Sequence, residues 1–369
     1  MTPQDGPVVI AGAGPVGLTL AVELHRRGLP FRIVDRGKGP TPPEESRALA
    51  ILPTTLAVLK SSGVADRLLA DGHPIRQMEM RFGPGRSVRL PLSDAPTDTP
   101  FILSLPQGRT ERHLLALLEE RGVAIEWGVA VEDVSQTHRP KVRLSSGDMI
   151  DAHALAGCDG VRSTVREALG IPWSGEGYPG DFSLADVTLD PRPDPSTGIV
   201  DLGTDGGARA LLPFGDGRAR LIGMVTNPDD LVAHLEGVTD VGWTSRFHVA
   251  FRHAERMARG MVFLAGDAAH VHSPVGGRGM NLGIWDAAWL AFLLSEGRAS
   301  EYEMRRLPSV RAILDQTRAM TDFVSGPPGW ARTLLRYGLP LALHLPPVRR
   351  GLAARILALD LPKPEWLDR

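Results

Sequence analysis

The segment from Val8 to Asp35 restricts the possible folds of this chain more than any other. Gly12-Ala13-Gly14-Pro15-Val16-Gly17 sits between a short apolar run, Val8 to Ala11, and a stretch with helical periodicity, Pro15 to Arg27, that stops at Gly28. A second apolar run, Phe31 to Val34, closes a βαβ unit, and Asp35 follows it 18 residues beyond Gly17. In such a unit Gly12 permits a tight turn, Gly14 lets backbone approach a pyrophosphate, and Gly17 allows close packing of helix on strand. The helix start presents free N–H groups and the positive end of its dipole to the phosphates, with Pro15 and Val16 in its first turn. Asp35 can accept hydrogen bonds from ribose hydroxyls, and Arg36 stands beside it. The spacing therefore predicts a dinucleotide site, without distinguishing a nicotinamide from a flavin ligand.

The remaining chain fits around that unit. Helix is expected over 47–60, with Pro53 as a break or restart, and over 110–122, with Thr110 as N-cap and Gly122 as stop. Alternating segments with turn signals at 76–105 and 123–156 read as strands, and 161–170 reads as a short helix. Residues 178–258 read as mostly strand, 262–266 as a strand and 279–296 as a long helix. Helix then dominates, broken at Pro308, Pro327-Pro328, Pro340 and Pro346-Pro347. The expected architecture is α/β. A Rossmann-like dinucleotide domain comprises 1–75, 101–175 and 259–325. A β-rich substrate domain comprising 76–100 and 176–258 is inserted into it, and a helical C-terminal tail covers 326–369.

Composition removes several alternatives. The net charge of −2 gives no reason to expect nucleic acid as a partner. The single cysteine, Cys158, cannot form an intrachain disulfide, no metal-ligand spacing occurs, and one cysteine suits a reducing cytoplasm. No signal peptide is visible at the start, and no run approaches the roughly 20 apolar residues of a spanning helix, so no membrane partner is expected.

Two later motifs specify the ligand. Residues 157–166 read Gly157-Cys158-Asp159-Gly160-Val161-Arg162-Ser163-Thr164-Val165-Arg166, and residues 266–283 read GDAAHVHSPVGGRGMNLG. With these in place, the chain resembles the p-hydroxybenzoate hydroxylase-like flavoprotein monooxygenases, the group A aromatic hydroxylases. The resemblance covers about residues 7–325, with three separated motifs in the family's order; SRALAILPTTLAVLKSSG at 46–63 and the Gln107…Glu111 stretch add to it.

The resemblance implies FAD as cofactor and NADPH or NADH as reductant. It places the FAD diphosphate on Gly12, Gly14 and Gly17 and the adenosine ribose on Asp35. Arg47 and Gln107 would lie near the flavin and ribityl chain. Asp159 and Gly160, with Arg162 and Arg166 as further candidates, would serve FAD and pyridine nucleotide. Gly266 and Asp267 would hold the ribityl hydroxyls. Pro274 would rest on the flavin face, and Gly276, Gly277 and Gly279, followed by Met280 and Asn281, would bring backbone N–H groups to its pyrimidine edge. Negative charge on the reduced flavin is stabilised there by a helix N-terminus. Arg47, Pro274 and Arg278 are the residues expected nearest the chemistry. Arg278 would raise the flavin potential or hold an anionic substrate; the plainer alternative is a surface arginine paired with an acid.

The implied activity is insertion of one oxygen atom from dioxygen into an aromatic or polyketide-like small molecule through a flavin hydroperoxide. Epoxidation and Baeyer–Villiger oxidation use the same scaffold, and a non-catalytic flavin binder is the alternative from another class. A halogenase is disfavoured because no two tryptophans lie two residues apart. Trp285 and Trp289, one helical turn apart, read as core packing. His248, His253, His270 and His272 read as structural, and Leu212-Pro213-Phe214 as a strand end facing either flavin or core. Many relatives carry a further C-terminal domain for which this chain has no room. A monomer or a homodimer is expected.

Overall fold

The computed structural model describes residues 6–42, 48–83, 85–202, 208–233, 235–325 and 337–367. The expected βαβ unit is present: strand Val8–Ala11, helix Pro15–Arg26 and strand Phe31–Asp35. Val8–Ala11 lies inside a six-stranded sheet, paired in parallel with Phe31–Asp35 on one side and Ala154–Gly157 on the other. Strand Val262–Leu264 extends the sheet in parallel beyond Ala154–Gly157. All four residues of Val8–Ala11 are buried, as a central parallel strand requires. This order brings the ends of three strands, and the turns that follow them at residues 12, 158 and 265, to the same edge of the sheet.

A second sheet has eight strands, built from Gln77–Arg81, Ser87–Pro91, five strands between Trp173 and Ala254, and His270–Val271. Its two 17-residue strands, Trp173–Leu189 and Val238–Ala254, pair antiparallel along most of their length. His270–Val271 joins its edge directly after the third motif begins, so that one turn connects the two sheets. A small sheet of Ala50–Ile51, Ile102–Ser104 and His73–Ile75 lies beside them.

Several expected boundaries move. The described part of 47–60 starts with a short strand, and the helix runs Pro53–Lys60, because proline is suited to a first helical position. The helix expected to start at Thr110 instead starts at Gln107, after Pro106, leaving Thr110 fully buried inside it. Pro308 does not break the chain: helix Tyr302–Ser325 runs through it. Beyond the described gap at 326–336, the tail contains helices Leu339–Ala342 and Pro346–Ile356.

The helix Gly279–Ser295 is the buried axis of the α/β half, with every residue from Met280 to Leu294 out of solvent. Trp285 and Trp289 are core residues as expected: the Trp285 Nε1 donates to Thr55 Oγ1 at 2.9 Å, and Trp289 packs against Trp366. At the centre lies Asp286, fully buried. Its carboxylate accepts from Arg306 Nε at 2.7 Å, His270 Nε2 at 2.6 Å and the Gly266 N–H at 3.1 Å. Burial works to raise its pKa, but the arginine and histidine outweigh that and hold it below the usual carboxylate value. Removing one partner of a buried ion pair leaves the other uncompensated, so Arg306→Met is expected to destabilise the fold by about 3–5 kcal/mol in urea unfolding. A loss below about 1 kcal/mol would show that Asp286 does not depend on Arg306.

Candidate cofactor and active site

The three motifs meet, and close glycine contacts are the reason they can. Gly12 has φ +103°, and a Cβ there would lie 2.4 Å from the Cys158 carbonyl oxygen; the first motif is therefore pressed against the second. A Cβ on Gly17 would lie 1.9 Å from the Gly12 carbonyl oxygen. Val16 presses on the third motif: its Cγ2 would be 2.7 Å from a Cβ on Gly266 and 2.6 Å from one on Gly283. Gly14 differs from these. Nothing lies within 4 Å of where its Cβ would be, and no side chain caps the helix it begins. Open space thus faces the uncapped N–H groups of Pro15–Arg26, as a bound phosphate needs.

A cleft of about 290 Å³ opens beside this turn, lined among others by Gly12, Asp35, Arg36, Asp159, Gly160 and Thr164. Asp35 is partly engaged by the protein: Oδ2 accepts from Ala13 N and Oδ1 from Gly37 N, both at 2.6 Å. Each carboxylate oxygen keeps a second lone pair, so capacity for ribose hydroxyls remains. The carboxylate therefore fixes the glycine turn as well as facing the cleft. Arg36 is exposed at the rim.

The second motif is more structural than expected. Asp159 Oδ1 accepts from Ser163 Oγ at 2.6 Å and Oδ2 from Val165 N at 3.1 Å, so it holds the start of the short helix Thr164–Ala168. Burial raises its pKa against these hydrogen bonds. Arg166 is not available to a nucleotide. It is buried, donates to the carbonyls of Ala268 and Val161 at 3.0 and 2.9 Å, and lies 4.0 Å from the Trp173 ring centroid. It ties the second motif to the third. Arg162 is exposed and remains open to an external partner.

In the third motif Gly266 takes φ +59° and Asp267 is exposed on the turn Gly266–Ala268. The loop from Pro274 to Gly279 leads into the long helix, with Gly276 and Gly277 at φ +85° and +62°. Asn281 braces this loop: it accepts from Leu52 N at 2.9 Å and donates to the carbonyls of Ala50 and Gly277, both at 2.8 Å. Its side chain therefore shapes the site. Met280 is buried beside it, and Pro274 is half-buried. Gln107 donates to the buried Glu111 at 2.8 Å, and burial raises the Glu111 pKa. Arg47 lies outside the described residues.

The expectation for Arg278 is corrected. Its guanidinium is buried, and it faces Gln316, the Arg355 carbonyl and Asp360. It pairs with an acid, though not at the surface, and its Nη1 and Nη2 both donate to the protein. No feature of the motif sequence points to those partners. His248 pairs with Asp181 at 3.1 Å on an exposed sheet face, and His270 belongs to the Asp286 cluster. Phe214 is buried and Leu212 packs against the main core.

A family model described as FAD binding domain matches residues 5–230 and 224–317. The chain is 37% identical, over 392 aligned positions, to the 6-methylpretetramide 4-monooxygenase of Streptomyces rimosus, covering 97% of this chain and 70% of that protein. Among solved structures it resembles an anhydrotetracycline hydroxylase from Streptomyces rimosus, with 32% identity, a TM-score of 0.77, and coverage of 97% of this chain and 77% of that one. A Diels-Alderase of pyrroindomycin biosynthesis shares 29% identity at a TM-score of 0.78, with coverage of 95% and 80%.

His272 reads as structural from the sequence, and its buried ring yields a pH test. Its Nδ1 donates to the Ser273 carbonyl at 2.8 Å, while its Nε2 is buried with no partner among the described residues. Burial, opposed by that carbonyl, pulls its pKa from 6.5 to about 4. Its neutral form is therefore favoured on folding. The stability it contributes is complete above pH 6.5 and is lost as pH falls toward 4. Urea midpoints measured across that window should fall more steeply for the wild type than for His272→Gln; equal slopes would remove His272 as the cause.

Proposed function

This chain belongs to the FAD-binding-domain family of flavoprotein aromatic hydroxylases, and from that premise we propose that it inserts one oxygen atom of dioxygen into an aromatic or polyketide-like small molecule at the expense of NADPH or NADH. The observation that carries this most directly is the packing of the three motif turns on one another through Gly12, Val16, Gly266 and Arg166, with a cleft lined by the first two motifs and Gly14 facing open space. FAD, when bound and reduced, supplies the activation of dioxygen. The overall balance takes substrate, dioxygen, NAD(P)H and a proton to hydroxylated product, NAD(P)+ and water.

The tasks proposed for the protein's own residues draw on this geometry and on the family resemblance. The N–H groups at the start of Pro15–Arg26 would bind the diphosphate. Asp35 would accept from the adenosine ribose and Asp267 from the ribityl chain. The backbone of Gly276 to Gly279 would hold the pyrimidine edge, and Pro274 would keep water from that side of the flavin. Arg47 and Gln107 are assigned to the flavin and ribityl chain on the resemblance. Residues 76–100 and 176–258 form the wall over the substrate, and 326–369 the tail. The reducing cytoplasm, where NAD(P)H is at hand, is the proposed location, and the protein acts as a monomer or homodimer. Among the described residues no helix is long and apolar enough to cross a membrane.

A redox-neutral cyclisation is the second reading, raised by the Diels-Alderase relative. Substrate-stimulated NAD(P)H oxidation, with one atom of isotopically labelled dioxygen found in the product, supports oxygen insertion. Turnover without NAD(P)H consumption or label supports cyclisation. Epoxidation and Baeyer–Villiger outcomes differ from hydroxylation in product structure and not in this stoichiometry.

Gly14→Val separates folding from cofactor binding. Nothing lies within 4 Å of a Cβ at Gly14 and its backbone is extended, so the thermal midpoint without FAD should stay within about 2 °C of wild type, the scale of a small surface substitution. FAD affinity should fall roughly a hundredfold or more, about 3 kcal/mol. Unaltered FAD binding would place the diphosphate elsewhere.

A further inference from the structure

The loop 274–279 is held from two sides. From inside, Asn281 binds the carbonyls of Ala50 and Gly277 and the Leu52 N–H. From outside, the hold comes from the C-terminal tail, which contains none of the three motifs. Arg278 stands at the N-cap position of helix Gly279–Ser295 and is 4% exposed. Its Nη1 donates to Gln316 Oε1 on helix Tyr302–Ser325 at 2.7 Å. Its Nη2 donates to the Arg355 carbonyl at 2.7 Å and lies 3.3 Å from Asp360 Oδ1. Arg355 is in the last turn of tail helix Pro346–Ile356, where unsatisfied carbonyls and the negative end of the helix dipole favour a cation. The loop curls around this side chain: a Cβ on Gly276 would lie 3.8 Å from Arg278 Cγ and Nε.

The tail itself is anchored on the same long helix. Trp366 packs against Trp289 and Phe292, with ring centroids 4.8 and 4.7 Å apart, and Glu365 pairs with Arg298 at 2.7 Å and Arg305 at 3.4 Å. A guanidinium with three acceptors cannot be withdrawn from these partners cheaply once buried, because each charge-assisted bond is among the stronger ones a protein makes. The loop that leads into the helix is thereby locked to a segment about 80 residues away in sequence.

We propose that Arg278 is a positioning residue through which the C-terminal tail fixes the flavin-facing loop, so that residues 346–360 are part of the cofactor site although none of them lies in a motif. This rests on the proposed placement of the flavin pyrimidine edge at Gly276–Gly279. The tail's hold sets how the loop's N–H groups are aimed. Loosening it weakens FAD binding and changes the flavin environment without unfolding the chain.

The test compares wild type with Arg278→Gln, Asp360→Asn and Arg278→Lys. Asp360→Asn keeps Arg278 and its carbonyl and amide partners, and so remains informative if Arg278→Gln does not fold. Hydrogen exchange of the FAD-free proteins should rise in peptides over 273–282 and 346–360 and stay unchanged over the six-stranded sheet. FAD affinity, read by flavin fluorescence quenching, should fall roughly tenfold for Arg278→Gln, less for Asp360→Asn, with partial recovery in Arg278→Lys. The visible flavin absorption band should shift in Arg278→Gln. Wild-type exchange and wild-type FAD binding in both Arg278→Gln and Asp360→Asn would overturn the proposal, as would faster exchange throughout the chain. If the wild type itself takes up no FAD, the family-based placement of the cofactor fails. The exchange data then decide the tail-to-loop coupling on their own.

Discussion

The carboxylate of Asp286 is the interaction on which the rest of the α/β half depends. It is buried with Arg306 and His270, and it also receives the N–H of Gly266. These partners come from the third motif, the strand joining the second sheet, and helix Tyr302–Ser325. A buried ion pair adds little net stability over a well-packed apolar replacement, since desolvation offsets most of the attraction. What it adds here is geometry. The Gly266 turn can take only the position at which its N–H meets Asp286, and Asp267 is aimed from that turn.

Close contact between glycines and Val16 completes the same arrangement. Gly266 and Gly283 each have room for a hydrogen atom and not a methyl group against Val16, so the first helix, the third turn and the long helix stack at the separation backbone atoms permit. Gly12 does the same against the second motif. Arg166 then crosses from the second motif to the Ala268 carbonyl of the third. Three turns far apart in sequence become one wall, and a cleft opens along it beside Gly12, Asp35 and Asp159.

Much of this was legible from residue order. The βαβ unit, the central strands and the long helix after the third motif follow from apolar periodicity and glycine placement, because both act over a few residues. The corrections share a cause as well. Thr110 looks like a helix cap, but Pro106 and the buried surface around it start the helix earlier. Pro308 looks like a break, but tertiary packing carries the helix through it. Arg166 looks like a nucleotide contact and is a strut. Asp35 looks like a ribose ligand alone and also holds two backbone N–H groups of its own turn.

The sequence by itself determined the fold type, the three turns, the cofactor class and the family, because a tight turn or a close backbone approach can be met only by glycine at a given position, and such requirements are local. Only the tertiary structure decided where the long charged side chains go. Arg278 could reach a flavin, a substrate or a tail from the same backbone position. Its partner is set by which acceptors face it across a buried boundary, here Asp360 and the end of helix Pro346–Ile356. A flexible side chain carries no record of that boundary in its neighbours along the chain, so the loop's dependence on the tail exists only once the chain has folded.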